Sequence, residues 1–115
     1  MMSACLFCRI AAGTVAADVV YRDDSCVVFR DINPQAPIHW LAIPRRHVAS
    51  CNELDEVSAA EVGRMLLTVV RLAREHGFDT TGYRLVVNTG ADAGQAVGHL
   101  HVHVLAHRRM AWPPG

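Results

Sequence analysis

Three histidines at alternate positions in an apolar run are the residues of this chain whose types and spacing most clearly predict chemistry. They are His99, His101 and His103, separated by Leu100 and Val102. Because strand side chains alternate between two faces, a strand here presents all three imidazoles on one face and the apolar residues on the other. The outer two imidazoles then start about 13 Å apart. An imidazole can act as a nucleophile, a general base or a metal ligand near neutral pH.

This row of histidines allows three interpretations: surface filler, a metal site, or a site of nucleophilic or acid–base chemistry. Three imidazoles in register with apolar residues behind them argue against filler. Alternate residues of a flat strand diverge too far for all three to meet one zinc ion at bond lengths of about 2.0–2.1 Å. That geometry disfavours a zinc hydrolase in which the row itself holds the metal.

The segment directly before the histidines is rich in glycine, with Gly90, Gly94 and Gly98 close together. Such a loop can turn several backbone N–H groups toward one point, and concave groups of this kind bind anions, phosphate above all. Asn88 and Gln95 can donate to phosphoryl oxygens. Alone the segment would be an ordinary loop, but its position before the histidines favours phosphate binding.

A second candidate site combines Cys5 and Cys8, spaced as Cys-x-x-Cys, with His47 and His99 as possible partners. Two thiolates and two imidazoles satisfy the tetrahedral coordination of zinc. The alternatives are a pair of buried thiols or a redox pair. We predict a structural Zn²⁺ at these four residues.

The elements that must position these sites are predicted to form one α+β domain over residues 1–115, with residues 107–115 as a C-terminal tail. We expect a short helix over residues 6–12, a main helix over about 59–76, and strands over 19–22, 26–31, 38–43, 83–88 and 98–106. Ser58 with Glu61 predicts a capping box at the start of the main helix. The strands should form a mostly antiparallel five-stranded sheet with the main helix packed across it. His39 should point into the same pocket as the histidine row.

Composition limits the class of protein. The 115 residues include 11 basic and 11 acidic side chains and are 51% hydrophobic, which is typical of a globular domain. A net charge of zero without a basic face argues against a nucleic-acid partner. No apolar run approaches the roughly 18 residues of a membrane span, and Arg9 interrupts any signal-peptide core. We therefore expect a cytoplasmic protein with no membrane partner.

Taken together, these motifs resemble a known family. The run His99-x-His101-x-His103 matches the histidine triad (HIT) pattern, and the chain from Leu6 onward is similar to the histidine triad nucleotide-binding (HINT) branch, with support from residues 31–37, 43–48 and 82–88. The resemblance implies a homodimer with a ten-stranded sheet across the two subunits. It also implies hydrolysis of purine nucleoside 5′-phosphoramidates or related adenylates to the nucleoside monophosphate. The alternative is a non-catalytic nucleotide-binding or scaffold protein on the same fold.

The resemblance further implies roles for individual residues. His101 would be the nucleophile that forms a nucleotidyl-histidine intermediate, and His103, His39 and Gln95 would complete the catalytic group. Asp31 would bind the ribose. An apolar slot for the purine would be formed by Leu6, Phe7, Ile10, Phe29, Ile32 and Leu41, while Asn88, Gln95, Ala96, Val97, His101 and His103 would contact the phosphate.

Two local features refine this resemblance. Cys5-x-x-Cys8 is similar to bacterial zinc-containing members, which implies a zinc held by Cys5, Cys8, His47 and His99. Ala96 stands where members of this branch often carry serine, so one hydroxyl donor to the phosphate or the leaving group is missing.

Overall fold

In the computed structural model, which describes residues 4–115, five strands form one antiparallel sheet with a helix on each face. The elements are α1 (Leu6–Ala12), β1 (Val19–Arg22), β2 (Cys26–Arg30), β3 (Ile38–Pro44), α2 (Glu56–Glu75), β4 (Tyr83–Val86) and β5 (Val102–Ala106). The strand order is β1-β2-β3-β5-β4, and each neighbouring pair is antiparallel. This confirms the predicted fold class, while the sheet shared across a homodimer stays a prediction.

Alternation along the central strands divides the core into two layers. On one face, Val28, Trp40 and Ala42 pack with the buried side of α2. On the other face, Val27, Phe29, Leu41 and Ile43 pack with Phe7, Ile10 and Ala11 of α1. No helix within residues 4–115 is long and apolar enough to cross a lipid bilayer.

The last strand is shorter than predicted, because β5 begins at Val102 and not at residue 98. Only His103 of the three histidines therefore lies in a paired strand. β2 and β4 likewise end earlier than predicted, at Arg30 and Val86. The predicted alternation nevertheless extends upstream of β5, since Leu100 joins the core on the α2 side together with the apolar residues of the strand. The three histidines consequently face the α1 side.

Helix α2 begins earlier than predicted, because Asp55 and not Ser58 is its N-cap residue. The Asp55 carboxylate accepts a hydrogen bond from the Ser58 N–H at 2.8 Å, and the Ser58 hydroxyl accepts one from the Asp55 N–H at 3.0 Å. This is a capping box shifted by three positions from the predicted one, so Glu61 takes no part in it. The helix ends before Gly77, which has a left-handed φ of 78° as predicted for a terminator.

The C-terminal tail after β5 lies on the surface. Arg84 donates to the carbonyl of Ala111 at 3.0 Å and so attaches the tail to β4. Trp112 remains 82% exposed, whereas the other tryptophan, Trp40, is 1% exposed.

The turn between β1 and β2 is organised by one carboxylate, that of Asp23. Its Oδ1 accepts from the N–H groups of Ser25 at 2.7 Å and Cys26 at 2.9 Å, and its Oδ2 accepts from the Tyr21 hydroxyl at 2.8 Å. Burial raises the pKa of this carboxyl, but the backbone hydrogen bonds outweigh burial and hold the pKa at about 2.

We expect Asp23→Ala to lower the free energy of unfolding by about 1–3 kcal/mol at pH 7, because it leaves two backbone donors without their acceptor. The ionised carboxylate stabilises the fold above its unfolded pKa of 3.8, and this contribution is lost as the pH falls toward about 2. Urea unfolding at several pH values measures both effects. Asp24→Ala, at an exposed neighbour, is the control and should cost less than about 0.5 kcal/mol. A stability difference that stays constant down to pH 2 would contradict this role.

Candidate active site and metal centre

An apolar cavity of about 440 Å³ opens on the α1 face of the sheet. The predicted site residues that line it are Leu6, Phe7, Ile10, Phe29, Asp31, Ile32, Leu41, Ala96, Val97, His101 and His103. Ile32 is fully exposed and forms part of the rim. A concave, mostly apolar site of this size with a few polar groups at one end is typical of small-molecule binding.

The cavity also has a wall that sequence reasoning missed. The loop between α1 and β1 contributes Val15, Ala16, Ala17 and Asp18, and β2 contributes Arg30. Arg30 and Asp18 form an exposed ion pair at 3.1 Å. This loop has no periodicity or chemical motif, so only its attachment between two elements of the site could have indicated it.

Two predicted phosphate-binding residues, Asn88 and Gln95, do not line the cavity. The Gln95 side chain is instead bonded to backbone: its Oε1 accepts from the Gly90 N–H at 3.0 Å, and its Nε2 donates to the carbonyls of Ala49 and Val97 at 2.8 and 3.0 Å. A primary amide has two N–H donors, and both are used here. In this conformation Gln95 therefore has no donor left for a phosphate, and it holds the glycine-rich loop against residue 49.

The structure fixes which nitrogen of His101 carries the proton. Its Nδ1 lies 2.8 Å from the carbonyl oxygen of His99. A carbonyl can only accept, so Nδ1 is the donor, and in the neutral ring Nε2 keeps a free lone pair. The ring is buried, and Phe7 packs edge-on against it with centroids 5.2 Å apart. This is the tautomer that a nitrogen nucleophile at Nε2 requires.

His39 does not line the cavity, contrary to the prediction, but it is hydrogen-bonded to His103, which does. The Gln35 N–H donates to Nδ1 of His39 at 3.0 Å, so the neutral His39 ring carries its proton on Nε2. That nitrogen lies 2.9 Å from Nδ1 of His103, which must accept and therefore carries its own proton on Nε2. Burial lowers the pKa of both histidines, which favours the neutral form of each ring at pH 7. The His103 and His101 ring centroids are 5.1 Å apart, so the two rings are neighbours, and both line the cavity.

Asp31 lies next to this pair, with its Oδ2 3.4 Å from Nε2 of His39. The ligand atoms of Asp31, His39 and His103 are close enough together to suggest a cation site. We assign no metal there, because the Gln35 N–H occupies Nδ1 of His39 and leaves Nε2 protonated. Asp31 is held instead by the Asn33 N–H, which donates to Oδ1 at 2.8 Å.

The predicted metal ligands Cys5, Cys8, His47 and His99 are brought together, with ligand atoms within 4.8 Å of one another. Nδ1 of His99 lies 3.4 Å from Sγ of Cys5 and 3.5 Å from Sγ of Cys8, and Nδ1 of His47 lies 3.2 Å from Sγ of Cys8. In tetrahedral zinc, bonds of about 2.3 Å to sulfur and about 2.0–2.1 Å to nitrogen place sulfur and nitrogen roughly 3.5 Å apart. The donor set and its spacing therefore fit zinc.

The tautomer of His99 also suits a metal. Its Nε2 lies 2.8 Å from the carbonyl oxygen of Pro44, so Nε2 donates and the lone pair of Nδ1 faces the thiols. Burial lowers the pKa of His99, which favours the neutral ring. Cys5 is the N-cap of α1 and His47 follows β3, so the four residues join the N-terminal helix, the sheet and the segment before β5.

The fold and the site thus define an antiparallel α+β protein in which a buried histidine with a free lone pair faces an apolar cavity. A HIT domain model matches residues 12–110. The chain is 47% identical over 110 residues to an uncharacterized HIT-like protein of Synechococcus elongatus, covering 96% of each chain. The chain belongs to the HIT domain family.

Solved structures agree with this assignment. The crystal structure of a HIT family hydrolase from Legionella pneumophila is similar at a TM-score of 0.94 and 44% identity, covering 96% of this chain and 99% of that one. A histidine triad nucleotide-binding protein from Candida albicans matches at a TM-score of 0.81 and 26% identity, covering 97% of this chain and 85% of that one. The HINT branch and the zinc-containing type stay predictions.

Proposed function

We propose that this protein hydrolyses purine nucleoside 5′-phosphoramidates or related adenylates and releases the nucleoside monophosphate. The observation that carries the proposal is the hydrogen bond from His101 Nδ1 to the His99 carbonyl, which leaves a nucleophilic Nε2 on a residue lining the cavity. The names of two relatives, a HIT family hydrolase and a nucleotide-binding protein, agree with it.

The cavity would offer separate contacts to the base, the ribose and the phosphate of a nucleotide. Aromatic and aliphatic walls, including Phe7 and Phe29, suit the flat face of a purine. The Asp31 carboxylate can accept hydrogen bonds from ribose hydroxyls. The phosphate would then lie between Val97, at the end of the glycine-rich loop, and the histidines. The imidazole of His101 would stand behind the α-phosphorus in this arrangement.

Two displacements would complete the reaction. Nε2 of His101 attacks the α-phosphorus and forms a phosphorus–nitrogen bond, the bond from phosphorus to the leaving nitrogen breaks, and that nitrogen takes up one proton from solvent. Water then attacks the phosphorus of the nucleotidyl-histidine, the bond to Nε2 breaks, and the attacking water gives up one proton to solvent, so the protons balance. Splitting the reaction replaces one difficult step with two easier ones.

His103 supports both displacements as a hydrogen-bond donor. Its Nδ1 is occupied by His39, so Nε2–H is the group that it can direct at a phosphoryl oxygen. Phosphoryl transfer depends mainly on alignment and on stabilisation of charge at these oxygens, which this donor and the backbone N–H groups of Ala96 and Val97, two residues that line the cavity, would provide. His39 contributes by holding His103 in the required tautomer.

We further propose a structural Zn²⁺ at Cys5, Cys8, His47 and His99. When bound, the ion would tie α1 to the sheet and supply no step of the reaction. Its effect on the chemistry would pass through His99, whose carbonyl accepts the hydrogen bond that orients His101.

The protein is also proposed to be a homodimer in which two five-stranded sheets join into one of ten strands. The strand β4 lies at the edge of the sheet, so one side of its backbone is available for pairing. Leu85 and Val87, in and just after β4, are 37% and 41% exposed in the single chain. Their burial would favour association through this edge.

Trapping the intermediate tests the proposed reaction. During steady-state turnover of an adenosine phosphoramidate, a rapid alkaline quench should yield protein that is heavier by one nucleotidyl group, and peptide mapping should place the group on His101. Nucleotidyl-histidine is expected to survive this quench because the phosphorus–nitrogen bond hydrolyses mainly in acid. Turnover without any trapped adduct would contradict covalent catalysis. AMP binding without turnover would instead favour the non-catalytic alternative.

A further inference from the structure

Arg108, in the tail after β5, contacts the loop that precedes β3. Its Nε donates to the carbonyl oxygen of Gln35 at 2.8 Å. The N–H of the same Gln35 donates to Nδ1 of His39 at 3.0 Å. Gln35 thus connects the Arg108 guanidinium group to the His39 imidazole through two hydrogen bonds. We infer that Arg108 is a positioning residue, which holds Gln35 so that its N–H fixes the tautomer of His39.

The Gln35 loop, residues 33–37, has few other attachments. It lies outside the regular strands and contains Pro34 and Pro37, which have no N–H to donate. The Gln35 side chain donates only within the loop, to the carbonyl of Asn33 at 3.1 Å. Within residues 4–115, the hydrogen bonds that Gln35 makes outside this loop are those with His39 and Arg108. Removal of the guanidinium group therefore frees one of its two external anchors.

The pairing of β3 with β5 explains why Gln35 and Arg108 meet. Ile38, the first residue of β3, pairs with Ala106, the last residue of β5. Gln35 shortly before β3 and Arg108 shortly after β5 therefore lie at the same end. Between them, His107 has a left-handed φ of 66°, which turns the chain immediately after the strand.

The tautomer of His39 determines what His103 can donate. While Gln35 donates to Nδ1, His39 keeps its proton on Nε2, His103 accepts at Nδ1, and His103 retains Nε2–H for the phosphate. If Gln35 moves away, His39 can carry its proton on Nδ1 and accept from His103 instead. The proton of His103 then sits on its Nδ1, and Nε2 offers a lone pair where the phosphoryl oxygen needs a donor. The expected loss falls on the chemical step and not on nucleotide binding.

The positive charge of Arg108 also favours the neutral form of His39. Burial lowers the pKa of His39, the Asp31 carboxylate opposes this, and the positive charge of Arg108 adds to the lowering. His39 is also bonded to His103, whose pKa is lowered chiefly by burial. Loss of the Arg108 guanidinium group should therefore raise the pKa of His39. Since the proposed reaction uses the neutral His39–His103 pair, the acid limb of the plot of kcat against pH should move toward neutral pH.

This inference rests on the proposed function for its kinetic test, but its structural test needs no substrate. Two-dimensional ¹H–¹⁵N spectra of the ring nitrogens should show His39 protonated at Nε2 alone in the unaltered protein, and a mixture of tautomers in Arg108→Ala. Arg108 is exposed, so the variant should fold. Arg109→Ala is the matched control, because within residues 4–115 the Arg109 guanidinium makes no hydrogen bond, and it should leave the spectrum unchanged.

In kinetics with an adenosine phosphoramidate, kcat should fall about 10-fold to 100-fold in Arg108→Ala, while AMP affinity stays within about twofold. Arg108→Lys keeps the charge and one donor and should recover part of the loss. An unchanged His39 tautomer in Arg108→Ala would overturn the inference, whatever happens to activity. If the unaltered protein turns over no phosphoramidate, the proposed function fails, and the tautomer measurement still decides the role of Arg108.

Discussion

Replacement of His101 by alanine is expected to reduce turnover of an adenosine phosphoramidate by about 10³-fold or more. Among the cavity-lining residues that the structure describes, His101 alone presents an oriented ring nitrogen with a free lone pair, given that Nε2 of His103 carries a proton, and the variant lacks it. AMP affinity should change by less than about 10-fold, because the apolar walls and Asp31 remain. Steady-state kinetics and calorimetric titration with AMP measure the two effects.

The matched control for His101→Ala is His107→Asn, a change at an exposed histidine that does not line the cavity. Asparagine tolerates the left-handed backbone found at His107, so this variant should keep full activity. Thermal unfolding of both variants shows whether loss of the buried ring has disturbed the fold. Folded His101→Ala that retains more than about a tenth of the activity would show that another group is the nucleophile.

Removal of one thiol ligand should cause a large loss of bound zinc and of thermal stability. Protein purified without chelators is expected to carry one zinc ion per chain, and Cys8→Ser should lose it, because Cys8 lies against both His47 and His99. The melting temperature should fall by at least about 5 °C, since the ion joins α1 to the sheet. Elemental analysis and calorimetry provide the two readouts.

Cys51→Ser gives the matched control for Cys8→Ser, because Cys51 is exposed and lies outside the four-residue cluster. It should keep the zinc and the melting temperature. Zinc that persists in Cys8→Ser, or that is absent from the unaltered protein, would contradict the proposed metal centre. A strong chelator should leave part of the activity, whereas a catalytic metal held by the histidine row would predict complete loss in a folded protein.

Side-chain alternation made the layout of the site predictable. The pattern of Leu100, Val102 and Val104 placed the histidines on the opposite face, and the structure agrees even where no strand is formed. The Cys-x-x-Cys spacing was informative for a similar reason. One turn of α1 separates the two cysteines, so both thiols lie on the same side of the helix near His99.

Contacts of side chains with distant backbone could not be predicted in this way. Asp55 and Ser58 are both good N-cap residues, and the choice between them depends on where the preceding chain enters α2. The amide of Gln95 is drawn to the carbonyl of Ala49, 46 residues away in sequence. Arg108 meets Gln35 across 73 residues. No periodicity records such pairs, because each depends on the course of an irregular loop.

The two tryptophans have a practical consequence, since they lie in opposite surroundings. Trp40 is enclosed by Phe78 and His76, while Trp112 is in contact with solvent. The emission of Trp40 should be blue-shifted and resistant to quenching by iodide. The emission of Trp112 should be red-shifted and readily quenched. The unlabelled protein therefore carries two built-in fluorophores, one that reports melting of the interior and one that reports whether a neighbouring molecule shields the tail.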